Sequence, residues 1–230
     1  MRNLARLFLF ISVFYTANIF AQEDSSKIDL SLSGDIVSSY VWRGSQLSGF
    51  PSFQPYMEVT YGKIYAGFWA STPLAGPYET DFLIGYRHDY FGISVVDYYV
   101  TDLNVNPGNY FRWQNDLTSH DLSAEISFPG TESIPFRALA AFNFYGADTE
   151  NSRYYEAAWM FSKGDFSGEI FIGGTDAEGW YGDYEGIVNT GVSLLKEIKV
   201  TENYSLPLFS RIIVNPQKEN IYFVVGITLK

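Results

Sequence analysis

Few residues in this chain could carry chemistry. Two histidines stand among 230 residues, and cysteine is absent, which removes thiol nucleophiles, cysteine zinc sites, disulfides and a lipidated N-terminal cysteine. His120 lies in Ser119-His120-Asp121 at the start of a strand-like segment. Adjacent side chains in a strand point to opposite faces, so Ser119 does not easily meet His120 and no Ser–His–acid group forms locally. A serine from another strand stays open, but no hydrolase motif marks one. His88 stands at a short turn. Between Gly174 and Gly186 lie four carboxylates, Asp176, Glu178, Asp183 and Glu185. Ca²⁺ accepts such oxygens, but the EF-hand spacing is missing, and a hydrated outer loop with Trp180 and Tyr181 accounts for them better. The expectation is a protein that is not an enzyme and holds no cofactor or metal.

The more informative charges are those spaced through apolar runs. From Ile28 to Trp42 the residues Ile28, Leu30, Leu32, Ile36, Tyr40 and Trp42 share one parity, whereas Asp29, Ser31, Ser33, Asp35 and Ser39 share the other. A period of two puts these sets on opposite faces of a sheet. The pattern recurs at about 52–61, 63–72, 80–88, 92–100, 120–128, 136–145, 153–162, 165–173, 187–195, 205–214 and 221–229, which makes twelve strands. The connections tend to alternate between short and long, as in transmembrane barrels with short periplasmic turns and longer extracellular loops. The expected fold is therefore all-β: an antiparallel up-and-down transmembrane β-barrel of about twelve strands.

In such a barrel the apolar parity faces lipid and the polar parity faces the lumen. The lumen-lining candidates are Asp29, Asp35, Arg43, Glu58, Asp81, Arg87, Glu125, Arg137, Glu156, Glu169 and Arg211. Both signs are interleaved, so these charges can pair in an occluded barrel or set up a transverse field for small polar solutes. Arg43 has Asp35 or Asp81 as candidate partners. Segment 92–100 has no clean parity, because Asp97 shares its face with Ile93, Val95 and Tyr99. Aromatics make up 18% of the chain. Several stand at strand ends, where a ring with a polar edge favours the water–lipid boundary. Tyr40, Trp42, Trp69, Tyr86 and Tyr222 are the interface candidates. The long connection at 101–119 is the best candidate to fold into the mouth, and its Asn109–Trp113 stretch could instead form a surface for a sugar.

Charge and leader sequence bound the setting. There are 26 acidic and 15 basic residues, a formal charge of −11. Without a basic stripe, so acidic a chain repels a phosphate backbone, which argues against nucleic acid as a partner. Met1 to Ala21 has Arg2 and Arg6, then an apolar run from Leu7 to Tyr15, then small Ala21, the pattern of a secretory signal peptide. Thr16 and Asn18 interrupt the run too early for a membrane anchor. Residues 22–230 then form one barrel domain.

The stretch Ser39-Tyr40-Val41-Trp42-Arg43-Gly44, followed by Pro51-Ser52-Phe53-Gln54-Pro55, resembles the TorF-type porin family, also called the Gcw_chp conserved hypothetical family. Glu79-Thr80-Asp81 ahead of Phe82-Leu83-Ile84-Gly85-Tyr86 is similar to a later strand opening of that family. The resemblance implies an outer-membrane β-barrel with a channel role and no catalytic residues. The last strand departs from outer-membrane practice: Lys230 stands where an aromatic read by the barrel-insertion machinery is usual. The expected function is a porin-like channel of the cell outer membrane for passive passage of small hydrophilic solutes, with outer-membrane lipid and the insertion machinery as partners. The alternatives are an occluded structural or binding barrel with an outer-loop interaction surface, and a soluble exported β-sandwich.

Overall fold

A computed structural model of the chain describes residues 28–101, 109–114 and 118–230; the leader at 1–21 lies outside the described residues. The strands are β1 (Ile28–Val37), β2 (Tyr40–Trp42), β3 (Ser45–Ser48), β4 (Ser52–Tyr61), β5 (Ile64–Pro73), β6 (Tyr78–Arg87), β7 (Gly92–Thr101), β8 (His120–Phe128), β9 (Phe136–Gly146), β10 (Arg153–Lys163), β11 (Phe166–Thr175), β12 (Gly186–Lys199), β13 (Ser205–Asn215) and β14 (Asn220–Leu229). Twelve of them form one closed antiparallel barrel in the order β1, β14, then back through the sequence to β4, while β2 and β3 make a separate small sheet. One sheet closed on itself excludes the β-sandwich.

Alternation explains which face each residue takes. Leu30, Leu32 and Ile36 of β1 register with Val59, Met57 and Phe53 of β4, and all six are exposed on the outer wall. Their neighbours Asp35 and Ser31 register with Gln54 and Glu58, both buried inside. Most strands repeat this arrangement, so the outer wall is largely apolar and most inward charges face the lumen, the reverse of a water-soluble core. Val37, Phe171, Phe209, Ile213 and Val224 nevertheless form an apolar cluster inside. Outward aromatics stand near both strand ends: Tyr61, Phe136 and Phe166 beside the tighter turns, and Phe53, Tyr78, Phe144 and Tyr155 at the opposite end.

Connection lengths follow the expected alternation only in part. One end carries 62–63, 88–91, 129–135, 164–165 and 200–204; the other carries 38–51, 74–77, 147–152, 176–185 and 216–219, together with the connection between β7 and β8. The closing seam is short. β1 and β14 share the register from Gly34↔Leu229 to Val37↔Gly226, whereas β1 and β4 pair from Ile28↔Tyr61 to Val37↔Ser52.

Candidate functional site: the lumen and its inserted hairpin

The first strand does not run through Trp42. It stops at Val37, and Ser38 ties the break to β14: its N–H donates to the Val225 carbonyl at 2.8 Å, and its hydroxyl accepts from the Val225 N–H at 3.0 Å. β2 and β3 then pair with each other and enter the barrel. The tip between them is Arg43-Gly44, with φ of 48° and 82°. Positive φ at both central residues is the geometry of the tight hairpin turn that matches strand twist, usually built from Asn-Gly. Placing arginine there strains the backbone, and such strain marks a position chosen for its side chain. Gly44 is obligatory for a second reason: a Cβ on it would lie 1.9 Å from the Val188 carbonyl oxygen of β12. Asn215 of β13 donates its amide to the Gly44 carbonyl at 3.0 Å. The hairpin thus leaves the β1–β4 wall and ends against β12 and β13, which follow β14 round the ring from β1.

Arg43 is the centre of this crossing. Its guanidinium donates to Glu125 of β8 at 2.6 Å and to the Tyr181 hydroxyl at 2.8 Å. Tyr98 donates to the same Glu125 oxygen at 2.8 Å, and Tyr181 donates to Asn143 at 3.0 Å. The guanidinium carbon lies 4.5 Å from the Trp42 ring, 4.8 Å from Tyr154 and 5.3 Å from Tyr181. Each cation–π contact of this kind contributes about 0.5–2 kcal/mol, more where water is excluded. The partner is therefore Glu125, and neither Asp35 nor Asp81 meets Arg43. Parity names inward residues within a strand; it does not tell which of them face each other across a lumen.

The other inward charges are held nearby. Arg137 forks onto Glu169 at 2.7 and 2.8 Å and reaches Glu156 at 2.8 Å. Asn189 donates to Glu156 at 2.8 Å, and the Tyr154 hydroxyl bonds the same carboxylate. Arg87 grips Glu58 with two bonds of 3.0 Å and stacks on Tyr65. Asp35 accepts from Thr228 at 2.7 Å. Asp29 stands exposed near the tighter-turn end, in register with Thr60. Asp81 is buried, with Oδ1 unpartnered. Arg211 has no ion pair or hydrogen bond among the described residues, and its guanidinium lies 5.1 Å from the Phe209 ring. The candidates on barrel strands lie on the inward parity, Asp29 at an exposed strand end, whereas Arg43 reaches the lumen by the hairpin and not by the parity of β1. Removing Arg137 leaves Glu156 and Glu169, 11% and 25% exposed, without the cation they share. Arg137→Ala is expected to lower stability by about 3 kcal/mol, read as an earlier urea midpoint for the folded protein in lipid vesicles, while Glu169→Gln should cost less.

The interface aromatics are mostly misplaced by the sequence reading. Tyr40 is buried with its ring 5.4 Å from Trp69. Trp42 packs inside against Tyr98 and Tyr181. Trp69 registers with inward Tyr56 and Asp81. Tyr222 registers with Ile213 and packs against the interior cluster that includes Val37 and Phe209. Only Tyr86 faces outward, between Ile64 and Ile93. Tyr40 and Trp42 fail because the bend at Ser38–Ser39 resets the alternation. For Trp69 and Tyr222, outward Phe68 and Phe223 already set the parity.

The described part of the long connection, 109–114, does not enter the mouth. Tyr110 packs on Phe82, Tyr99 and His120, and Trp113 stacks on His120 at 3.8 Å. Tyr145 bonds the Trp113 carbonyl. Phe82 and Tyr99 are outward residues, so this segment lies over the outer wall. It covers a polar pair there: Nδ1 of His120 lies 2.9 and 3.0 Å from the Asp97 oxygens, and Nε2 lies 2.7 Å from the Tyr110 carbonyl. Asp97 therefore belongs to the outer face, and shielding explains why its strand resisted orientation. His88, at the opposite end, stacks on Phe91. The 174–186 stretch is not wholly a hydrated loop, since Tyr181 turns in and is fully buried. Asn143 and Asn189, also on the polar parity of their strands, are buried inside as that parity implies. Tyr98, Tyr154 and Tyr181 escaped the sequence reading, Tyr154 although it lies on the inward parity of its strand and Tyr181 because nothing local marks it.

No protein-family model matches the chain, and no curated protein matches it either.

Proposed function

We propose that the protein is a porin-like barrel of the outer membrane that passes small hydrophilic solutes through a lumen narrowed by the β2–β3 hairpin. The observation that carries the reading is the inverted surface: aliphatic and aromatic side chains cover the outside, while both signs of charge line an interior that keeps unfilled polar space. An exposed apolar wall of this extent needs hydrocarbon around it. Two interior cavities, about 280 and 220 Å³, lie on the two sides of Trp42 and Val41, so the barrel is not packed solid. The signal-peptide pattern of the leader and the resemblance to TorF-type porins support the same location.

Purified protein added to a planar bilayer should give discrete openings. Silence over many insertions, together with no solute uptake in liposomes, overturns the channel and leaves the barrel. The second reading, an occluded barrel acting through its outer loops, is favoured by one observation, the full complement of partners around Arg43. The membrane placement has its own test. Ile84 registers with Val95 on the outer wall and Ser94 faces inward beside it. Ile84→Lys should destabilise the lipid-inserted barrel by about 2–4 kcal/mol if it sits near the midplane, and Ser94→Lys should be milder; equal effects would remove the assignment of faces.

A further inference from the structure

A cavity of about 280 Å³ lies beside the hairpin and holds polar groups left over from the network around Arg43. Its walls include the rings of Tyr40, Trp42 and Trp69. Asp81 reaches it from β6, more than nine-tenths buried, with Oδ1 lacking any hydrogen-bond partner. Gln54 of β4 lines it as well, equally buried, with its amide nitrogen unpartnered. Arg211 of β13 borders the same space and makes no ion pair among the described residues. Every other inward arginine is matched: Arg43 with Glu125, Arg87 with Glu58, and Arg137 with Glu156 and Glu169.

Asp81 and Arg211 border one cavity without bonding each other. The Asp81 carboxylate is buried, and a buried charge without a partner costs several kcal/mol, whereas Arg211 keeps contact with solvent. A buried polar atom left unsatisfied in a folded protein calls for an explanation, and a ligand that supplies the missing partner is one. We propose that this cavity binds a small zwitterion, an amino acid in the broad sense, with its ammonium group against Asp81 and its carboxylate against Arg211 and the Gln54 amide. The aromatic walls suit such a molecule in two ways, since ring faces attract an ammonium group and cover a short carbon chain. The volume exceeds that of one water, about 30 Å³, several-fold, which leaves room for a molecule of this class but not for a sugar chain. The site deepens the solute-passage reading and rests on it, since it names the class of solute that would sit beside the hairpin.

The test uses the full chain in detergent, with tryptophan emission as the signal, because Trp42 and Trp69 line the cavity. Glycine, β-alanine and 4-aminobutyrate form a series of increasing charge separation; butylamine and butyrate carry one charge each. The expected result is saturable quenching by at least one zwitterion, with both single-charge probes at least about tenfold weaker, the factor that 1.4 kcal/mol represents. Arg211→Ala should bring the best zwitterion down to the level of butylamine, and Asp81→Asn down to that of butyrate. Both variants are checked for the faster migration of unboiled barrel on a gel. Absence of saturation by every zwitterion, or equal quenching by butylamine or butyrate, overturns the proposal. Binding without bilayer openings would sink the channel and keep the site; openings without binding would do the reverse.

Discussion

Arg43→Ala should open the barrel. The substitution removes the cation paired with Glu125, which keeps only the Tyr98 hydroxyl as a donor, and the donor to the Tyr181 hydroxyl, in a part of the lumen where the two charged side chains are only 8% and 15% exposed. Removing one member of so buried a pair costs about 3–5 kcal/mol, and the three ring contacts of the guanidinium are lost with it. The chain joins the hairpin to the wall only at its two ends, and besides Arg43 the tip is held by the Asn215 bond to the Gly44 carbonyl, so much of this loss falls on its inserted state. A shift of about 3 kcal/mol raises the population of displaced hairpin roughly a hundredfold. Single-channel records should show long, large openings in place of the wild-type pattern, and Trp42 emission should move to the red as the ring meets water. Arg43→Lys should fall between, because an ammonium group keeps the charge but cannot fork between Glu125 and Tyr181. Records and emission both unchanged in Arg43→Ala would mean that the hairpin does not control the lumen.

Gly44→Ala should have an effect as large while leaving Arg43 in place. The new methyl group would lie 1.9 Å from the Val188 carbonyl and within 3.2 Å of Asn189 Cα, backbone atoms of a barrel strand that cannot swing aside. The φ of 82° adds a further penalty of about 1–2 kcal/mol for any L side chain. The tip must therefore back away, which draws Arg43 from Glu125. Gly62 supplies the control: its φ is also positive, 60°, but a Cβ there would meet nothing within 4 Å. Gly62→Ala should cost only the backbone penalty and leave conductance as it was. Equal behaviour of the two variants would show that strain, not contact with β12, sets the hairpin's position.

The barrel and its inward charges were legible because one physical rule, alternation across a closed wall, governs each strand separately. Ile28, Leu30 and Leu32 against Asp29, Ser31 and Ser33 is enough to orient β1, and the same holds for Glu156 among Tyr155, Ala157 and Trp159. The hairpin was not legible, because Tyr40 and Trp42 continue the parity of β1 in the letters while Ser38 and Ser39 turn the chain into the lumen. Pairings across the lumen escape for a different reason. Arg43 and Glu125 are 82 positions apart, and their meeting depends on where every intervening strand stands. Asp97 misled in the opposite direction. An acidic residue on an outer wall makes sense only once His120 and the 109–114 segment are in place to cover it.

The brief pairing between β1 and β14 bears on how this molecule is assembled and taken apart. All other strand pairs of the ring are neighbours in the chain or flank the small hairpin, so they can zip up locally, one ribbon after another. Joining Gly34–Val37 to Gly226–Leu229 requires the two extremes of the polypeptide to find each other. It should be the last junction to form as the ring closes and the place where a pulling force starts to peel the ring apart. Hydrogen exchange should be fastest along that line, and a covalent staple across it should slow unfolding more than one placed anywhere else in the wall.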